Sequence, residues 1–518
     1  MQWRHHATIG GAALVLALAA LFTLRSGSEL HPPYPKARAT AAALRDPAVK
    51  SFVSGSGWTK AGVIALDDGH WRVTFWDGPR VVLDASVDGR GQVVATQLHA
   101  GALKPPGSAV LWSPALLVVL AALFAAVLAV RPLRSIRNLD AAVLGGGLTL
   151  SAALLEARLV SAHVYAGIAT LAYIAFRCAQ VGLGRPAQER PAQPLLSGAA
   201  ASRSLRLVAA AALAGAVTIV VTSTGISDVA FAGMLGATKL NHGTLPYGAL
   251  SPEVVHGDTY PLLTYLLYSP FAALTPVHSA FDSLDGSLVL NAIALVVTAG
   301  LLYRLRRGLD HALAWLLFPP VLLAASGGGN DVPTAMFVAG ALVLFARPVA
   351  SAGMLALAGW AKLAPAAALV VWLARLRGCA LAQACGAAAA VGVLALAVIV
   401  AFGDVHALRA TWDAIHFQFE RGSFYSLWQQ TGARDLQVVF QALTVAFAVV
   451  VAVEVRRRGA GGIGLRRAAA LAAVLLVLIQ IGANYWTFAY IPWVVPLILV
   501  ALFPPTLPRS PQPARPAP

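Results

Sequence analysis

A polar stretch at residues 227–261 carries Asp228, Tyr247, His256, Asp258 and Tyr260 in a chain whose flanking segments are almost wholly apolar. Ionisable and ring side chains in such surroundings point to a functional site rather than to solubility. Asp228 is the residue best suited to take up a proton, because apolar surroundings disfavour a bare carboxylate and make it a better base. The same residue also fits a helix start, with Ser227 as cap and the Asp228 charge against the helix dipole; the two roles are compatible. His256 and Asp258 are either a second acid–base or metal-binding group or a solvated loop pair. Lys362 is a lone cation between apolar runs, which costs about 3 kcal/mol unless the ammonium reaches the interface or an anionic partner such as a phosphate. Arg421, beside Glu420 and ahead of Trp428, is either a second phosphate contact or the ion-pair partner of Glu420. Gly327, Gly328 and Gly329 precede Asn330 and Asp331 without the strand-before and lysine-after context of a nucleotide loop. They read as a turn between helices, with Asn330 and Asp331 as candidate substrate contacts.

These groups must be positioned by a membrane fold. Of the 518 residues, 58% are hydrophobic and 12% charged, with apolar runs recurring at lengths near the roughly 20 residues that cross a bilayer. The net charge of +16 comes from arginines beside those runs, such as Arg131, Arg134 and Arg137, Arg304, Arg306 and Arg307, and Arg456, Arg457 and Arg458. That is positive-inside patterning, so no nucleic-acid partner is expected. The three cysteines, Cys178, Cys379 and Cys385, lie in or beside apolar segments and make no disulfide framework.

The pattern predicts an all-α polytopic membrane protein of about 13–14 transmembrane helices, with interfacial helices and a small α+β insert. An uncleaved anchor over 7–24, within a segment 1–24, is followed by an extracytoplasmic insert over 25–108. There, helical spacing at 37–53 precedes short strands at 63–66, 71–75, 81–83 and 93–95. Further transmembrane helices and a basic linker fill 109–205, a membrane core fills 206–503, and a Pro-rich tail ends the chain at 504–518. With the basic clusters inside, including Arg177 to Arg206, residue 228 falls outside. A crossing at 262–274 would put Arg304, Arg306 and Arg307 on the wrong side, so that run is read as an interfacial or re-entrant helix. Residues 312–325 then exit, and residues 403–432 form a second external loop. The scheme gathers Asp228, Asp258, Asp331, Lys362, Asp404, Arg421 and Asn484 on the extracytoplasmic face of a multi-pass plasma-membrane protein.

An ordered set of motifs on that face resembles a known family. Asp228, then Gly243-Thr244-Leu245-Pro246-Tyr247, then Tyr260-Pro261-Leu262, looks like the first external loop of polyprenyl-phosphate-sugar-dependent GT-C glycosyltransferases, nearest to the family 87 mannosyltransferases. Gly329-Asn330-Asp331-Val332-Pro333, Ala361-Lys362-Leu363-Ala364-Pro365, Ser423-Phe424-Tyr425-Ser426-Leu427-Trp428 and Asn484-Tyr485-Trp486 are similar to later family patterns in the same order. The likeness covers about 206–503 and implies a GT-C-like core. It implies transfer of a hexose, mannose first among candidates, with inversion, from a polyprenyl-phosphate donor to a lipid or glycan acceptor. Asp228 is then the general base, because it occupies the acidic position of that loop. Substrate contacts fall to Tyr247, His256, Asp258, Tyr260, Asn330, Asp331, Lys362, Arg421, Trp428, Asn484 and Tyr485. The aromatic members among these, with Trp412 and Trp486, are read either as sugar-stacking rings or as an interfacial belt. Some members of the wider clan carry an acidic pair separated by one residue; here Val229 and Ala230 follow Asp228, and no metal or other cofactor is assigned. In the insert, Trp71-Arg72-Val73-Thr74-Phe75 with Asp84 and Asp88-Gly89 resembles a PepSY-type module, which implies a binding or regulatory role.

A transporter or lipid flippase is the alternative, since many helices with few ionisable residues also describe one. Such a protein places its charges near mid-membrane in repeated broken helices, whereas here they cluster at one surface. A non-catalytic sensor acting through the insert is a third reading, under which Asp228 is dispensable.

Overall fold

The computed structural model describes residues 34–65, 70–77, 80–98, 111, 113–157, 159–184, 193–195, 199–223, 227–248, 250, 257–278, 282–306, 308–420, 423, 425–458 and 463–504. The expected anchor at 7–24 lies outside them, as does the tail after Pro504.

The insert folds as two helices followed by a four-stranded antiparallel meander in the order of the chain. The helical stretch expected over 37–53 breaks at Asp46 into Lys36–Arg45 and Pro47–Ser56. Proline fits the first position of a helix and not its interior, and the Asp46 carboxylate caps the new start by accepting from the amides of Ala48 and Val49 at 3.0 and 3.1 Å. Strands Lys60–Ala65, Trp71–Asp77, Arg80–Val87 and Val93–Leu98 alternate as a half-buried sheet must. Val73 and Phe75 oppose Ala85 and Leu83, and all four are buried against Ala39, Ala43, Val49 and Phe52.

The rest is helical and membrane-embedded. Among the described residues five helical segments are long and apolar enough to cross a bilayer: Ile136–Glu156, Val160–Leu183, Asp285–Leu305, Gly378–Gly403 and Arg434–Arg458. The exit expected at 312–325 is a bent pair, Leu309–Leu317 and Pro319–Ser326, turned through 57° where Pro319 and Pro320 interrupt the backbone ladder. Six shorter apolar helices of 10–17 residues accompany them among the described residues, Leu262–Leu274 included. At 13 residues that helix is about 20 Å long, short of the roughly 30 Å hydrocarbon thickness. Little of Gly378–Gly403 and Arg434–Arg458 is covered by protein, 6% and 17% of their apolar windows, so lipid is their solvent.

One expectation is corrected. The external loop predicted at 403–432 is mostly helix: Gly378 to Glu420 is one continuous 43-residue element. Its polar second half has no proline to stop it, and the fold bends it instead. A methyl at Gly403 would lie 2.7 Å from the Ala407 Cβ, where one turn of straight helix separates such atoms by about 5–6 Å. Arg177, counted with the inside arginines, also has a partner within the helix bundle that the sequence reading did not foresee. It pairs with buried Asp140 through Nε at 2.7 Å and Nη2 at 3.0 Å, and Tyr173 donates to the same carboxylate at 2.8 Å. Charge counting misses this because it cannot see that a carboxylate one helix earlier offers the guanidinium a partner inside.

The core joins segments distant in sequence. Helices Leu465–Ile481 and Val495–Leu502 are almost fully buried, and Val160–Leu183 packs on them through glycines. Gly182 meets the Leu471 side chain, and Gly167 lies beneath the Trp486 indole. A methyl at Gly167 would sit 2.0 Å from Trp486 Cη2 and 2.9 Å from Ser151 Oγ. Gly167→Ala is therefore expected to cost about 1–3 kcal/mol, read as a lowered unfolding midpoint in detergent. Gly146→Ala, whose added methyl meets nothing, is the control and should be neutral or stabilising by up to about 1 kcal/mol, since alanine is the better helix former.

Candidate active site

The turn at 327–331 is where the polar groups converge. Gly328 sits at φ +71° and a methyl there would lie 2.5 Å from Ser287 Oγ, so the turn needs glycine on both counts. The Gly327 carbonyl accepts from both the amide and the hydroxyl of Ser227, each at 2.8 Å, and the Gly328 carbonyl accepts from the Tyr268 hydroxyl at 2.7 Å. Asn330, fully buried, donates through Nδ2 to Thr264 Oγ1 and to the Ala361 carbonyl, both at 3.1 Å. Thr264 Oγ1 donates to the same carbonyl at 2.5 Å. Three separate elements are thereby fixed to one another: the turn, helix Leu262–Leu274 and the end of helix Pro348–Ala361.

Lys362 follows that helix in an extended conformation, φ −158° and ψ 126°. This turns its side chain back to Asp331, the first residue of helix Asp331–Val343. The ammonium pairs with Asp331 Oδ1 and lies 3.5 Å from Asn330 Oδ1 and 4.1 Å from the Tyr490 ring centroid. Trp493 donates its indole N–H to Asp331 Oδ1 at 3.0 Å. Both charges are largely buried, with side-chain exposures of 12% for Lys362 and 6% for Asp331. The partner that Lys362 was expected to find in a phosphate or at the interface is thus, first of all, Asp331. A cation held by a carboxylate, an amide oxygen and an aromatic face is fixed in place with part of its charge compensated.

Two layers surround this pair. On one side Tyr425, Tyr485 and Tyr490 form a run of rings with centroid separations of 4.9 and 5.9 Å, ending at Lys362. Asn484 tethers that run by donating to the Phe419 carbonyl at 2.6 Å and accepting from Gln437 Nε2 at 2.6 Å. Trp428 donates to the Ile481 carbonyl at 2.8 Å and packs on Phe440, so it clasps the same turn from outside. On the other side the Tyr247 hydroxyl donates to the Tyr260 carbonyl at 3.1 Å, and Asp258 Oδ2 accepts from the Gly248 amide at 2.8 Å. Burial, with Asp258 as the lesser cause, raises the Tyr247 phenol, which keeps it a neutral donor. Gln418 Nε2 donates to Thr259 Oγ1 at 2.5 Å and ties this loop to the bent helix.

Asp228 is exposed at the first position of helix Asp228–Asn241, capped by Ser227. Its Oδ1 accepts from the Val229 amide at 2.9 Å. The double bond from Ser227 to Gly327 joins this helix end to the turn that carries Asn330 and Asp331. The structure therefore assembles Asp228, Asn330, Asp331, Lys362, Asn484, Tyr485 and Trp428 around one network, with Tyr247, Asp258 and Tyr260 in the adjoining loop. His256 and Arg421 lie outside the described residues. Thr264, Tyr490 and Trp493 were not anticipated; each is a polar or ring residue inside an apolar run, which is the only signal the sequence offers for them.

Residues 259–506 match the family model of glycosyltransferase family 87. No curated protein and no solved structure matches the chain. The matched stretch contains the Asn330, Asp331 and Lys362 cluster and the tyrosine wall, and begins after Asp228. The likeness of this stretch to glycosyltransferase family 87 supports a helical membrane enzyme that transfers a sugar from a donor to an acceptor.

Proposed function

We propose that the protein transfers a hexose, mannose first among candidates, from a polyprenyl-phosphate donor to a lipid or glycan acceptor on the extracytoplasmic side of the plasma membrane. Asp228 takes the proton of the acceptor hydroxyl. The hydroxyl oxygen bonds to the anomeric carbon, the bond from that carbon to the phosphate oxygen breaks, and the polyprenyl phosphate leaves with inversion at the sugar. The observation that carries this reading is the construction of the site. An exposed carboxylate at Asp228 is tied through Ser227 and Gly327 to the turn that leads into Asp331, and Asp331 holds the buried ammonium of Lys362 beside the Tyr490 ring. A proton acceptor, a cation to meet a leaving phosphate and ring faces for a sugar are the parts such a transfer needs.

The test is a donor panel with the purified chain in liposomes. Labelled mannose is offered on polyprenyl phosphate and, separately, on a nucleotide, with the chloroform-soluble and glycan fractions both counted. Transfer from the polyprenyl donor alone, with the anomeric configuration of the product inverted by NMR, is the expected outcome. Transfer from the nucleotide sugar alone, or retention at the anomeric carbon, overturns the reading.

A further inference from the structure

The helices that precede the family-matched stretch reach the site from behind. His163, in helix Val160–Leu183, is fully buried with its ring stacked on Trp486, centroids 5.2 Å apart and planes at 20°. Tyr425 and Phe488 each meet it edge-on at 6.3 Å. Its other side is gripped by Ser151: Nδ1 lies 2.8 Å from the Ser151 carbonyl and 2.9 Å from the Ser151 hydroxyl, which also donates to the His163 carbonyl at 2.9 Å. A carbonyl only accepts, so Nδ1 carries the proton. Nε2 has no hydrogen-bond partner among the described residues. One nitrogen fixes the plane of the ring, and the contribution of the ring toward the site is its face.

That face supports a relay. The Trp486 amide donates to the Tyr425 carbonyl at 3.0 Å, Tyr425 packs on Tyr485, Tyr485 on Tyr490, and Tyr490 lies under the Lys362 ammonium. We propose that His163 is a positioning residue for the transfer site: it sets Trp486, and through it the tyrosine wall against which the donor sugar rests. The N-terminal helices are on this view a working part of the transferase. The inference rests on reading the Lys362 cluster as the transfer site.

The experiment uses the full chain in liposomes, with His163→Ala, His163→Phe and Lys362→Met. His163→Ala is expected to raise KM for polyprenyl-phosphate mannose by about tenfold or more, and His163→Phe, which keeps a ring face, to return it to within about threefold of the parent. A parent-like KM for His163→Ala overturns the proposal. So does a loss of activity that tracks a lowered unfolding midpoint without recovery in His163→Phe, since packing alone then explains it. A second readout needs no donor. Ala483→Cys, in a Cys379→Ser, Cys385→Ser background, should be labelled by a maleimide faster with His163→Ala than with His163 or His163→Phe; equal rates overturn the proposal. Full transfer by Lys362→Met removes the reading of the site itself, and the labelling result then decides the positioning on its own.

Discussion

Replacing Asp331 by alanine is expected to destabilise the protein by about 3–5 kcal/mol and to abolish transfer. The substitution leaves the Lys362 ammonium buried beside the Asn330 amide oxygen and the Tyr490 ring with no counter-charge, and it strips the Trp493 indole N–H of its acceptor. Neither group gains water in compensation, because the Lys362 side chain is only 12% exposed and Trp493 is buried. The double variant Asp331→Asn, Lys362→Met separates the two consequences. With both charges gone and the shapes kept, a buried ion pair can be replaced at little cost, so the unfolding midpoint should return close to that of the parent. Transfer should stay lost, because the cation has gone. Unfolding in detergent micelles and transfer of labelled sugar measure the two independently. A parent-like midpoint for Asp331→Ala would show that the pair carries no structural weight.

The helical membrane class was legible because it rests on composition and on run length, which survive any detail of packing. The insert was legible for a similar reason: Asp-Gly turns, alternating apolar residues at 71–75 and an apolar run at 81–83 specify a hairpin locally. What escaped was set by partners distant in sequence. Arg177 was read as a topology signal, and its buried partner Asp140 was not foreseen. The polar character of 403–420 looked like a loop, yet polarity only says that a segment lies outside lipid, and this one remains helical after its bend at Gly403.

The site shows the same division. That Lys362 needs a partner follows from its apolar surroundings, whereas which partner it finds depends on an extended residue at the end of a helix. No motif encodes that feature directly, although the proline at position 365 marks where the helix must fail. Asp331 and Asn330 were read as substrate contacts. The geometry gives them structural employment first, which leaves room for substrate at the exposed face of the network rather than inside it. His163 could not be singled out at all, since a lone histidine in an apolar helix carries no spacing signal and its significance comes only from stacking on a residue more than three hundred positions away.

Asp228→Asn is expected to lower the transfer rate by about 10²–10⁴-fold while leaving the fold intact. The carboxylate is exposed at the head of its helix, and an asparagine there can still accept from the Val229 amide. What the substitution removes is the charge, worth about 0.3–1 kcal/mol against the helix dipole, so the unfolding midpoint should barely move. The loss should fall on kcat with the KM for donor nearly unchanged, because a base acts on the acceptor hydroxyl in the transition state and contributes little to holding the donor. Asp228→Glu, which keeps the carboxylate but displaces it by one methylene, should fall between the two. The result bears on two assignments of different standing. The family relationship rests on residues 259–506 and does not include Asp228. An unchanged rate would therefore remove Asp228 from the chemistry while leaving the glycosyltransferase assignment in place. A large fall in kcat at constant stability would extend the functional site beyond the matched stretch, to the helix end that Ser227 fastens onto the Gly327 turn.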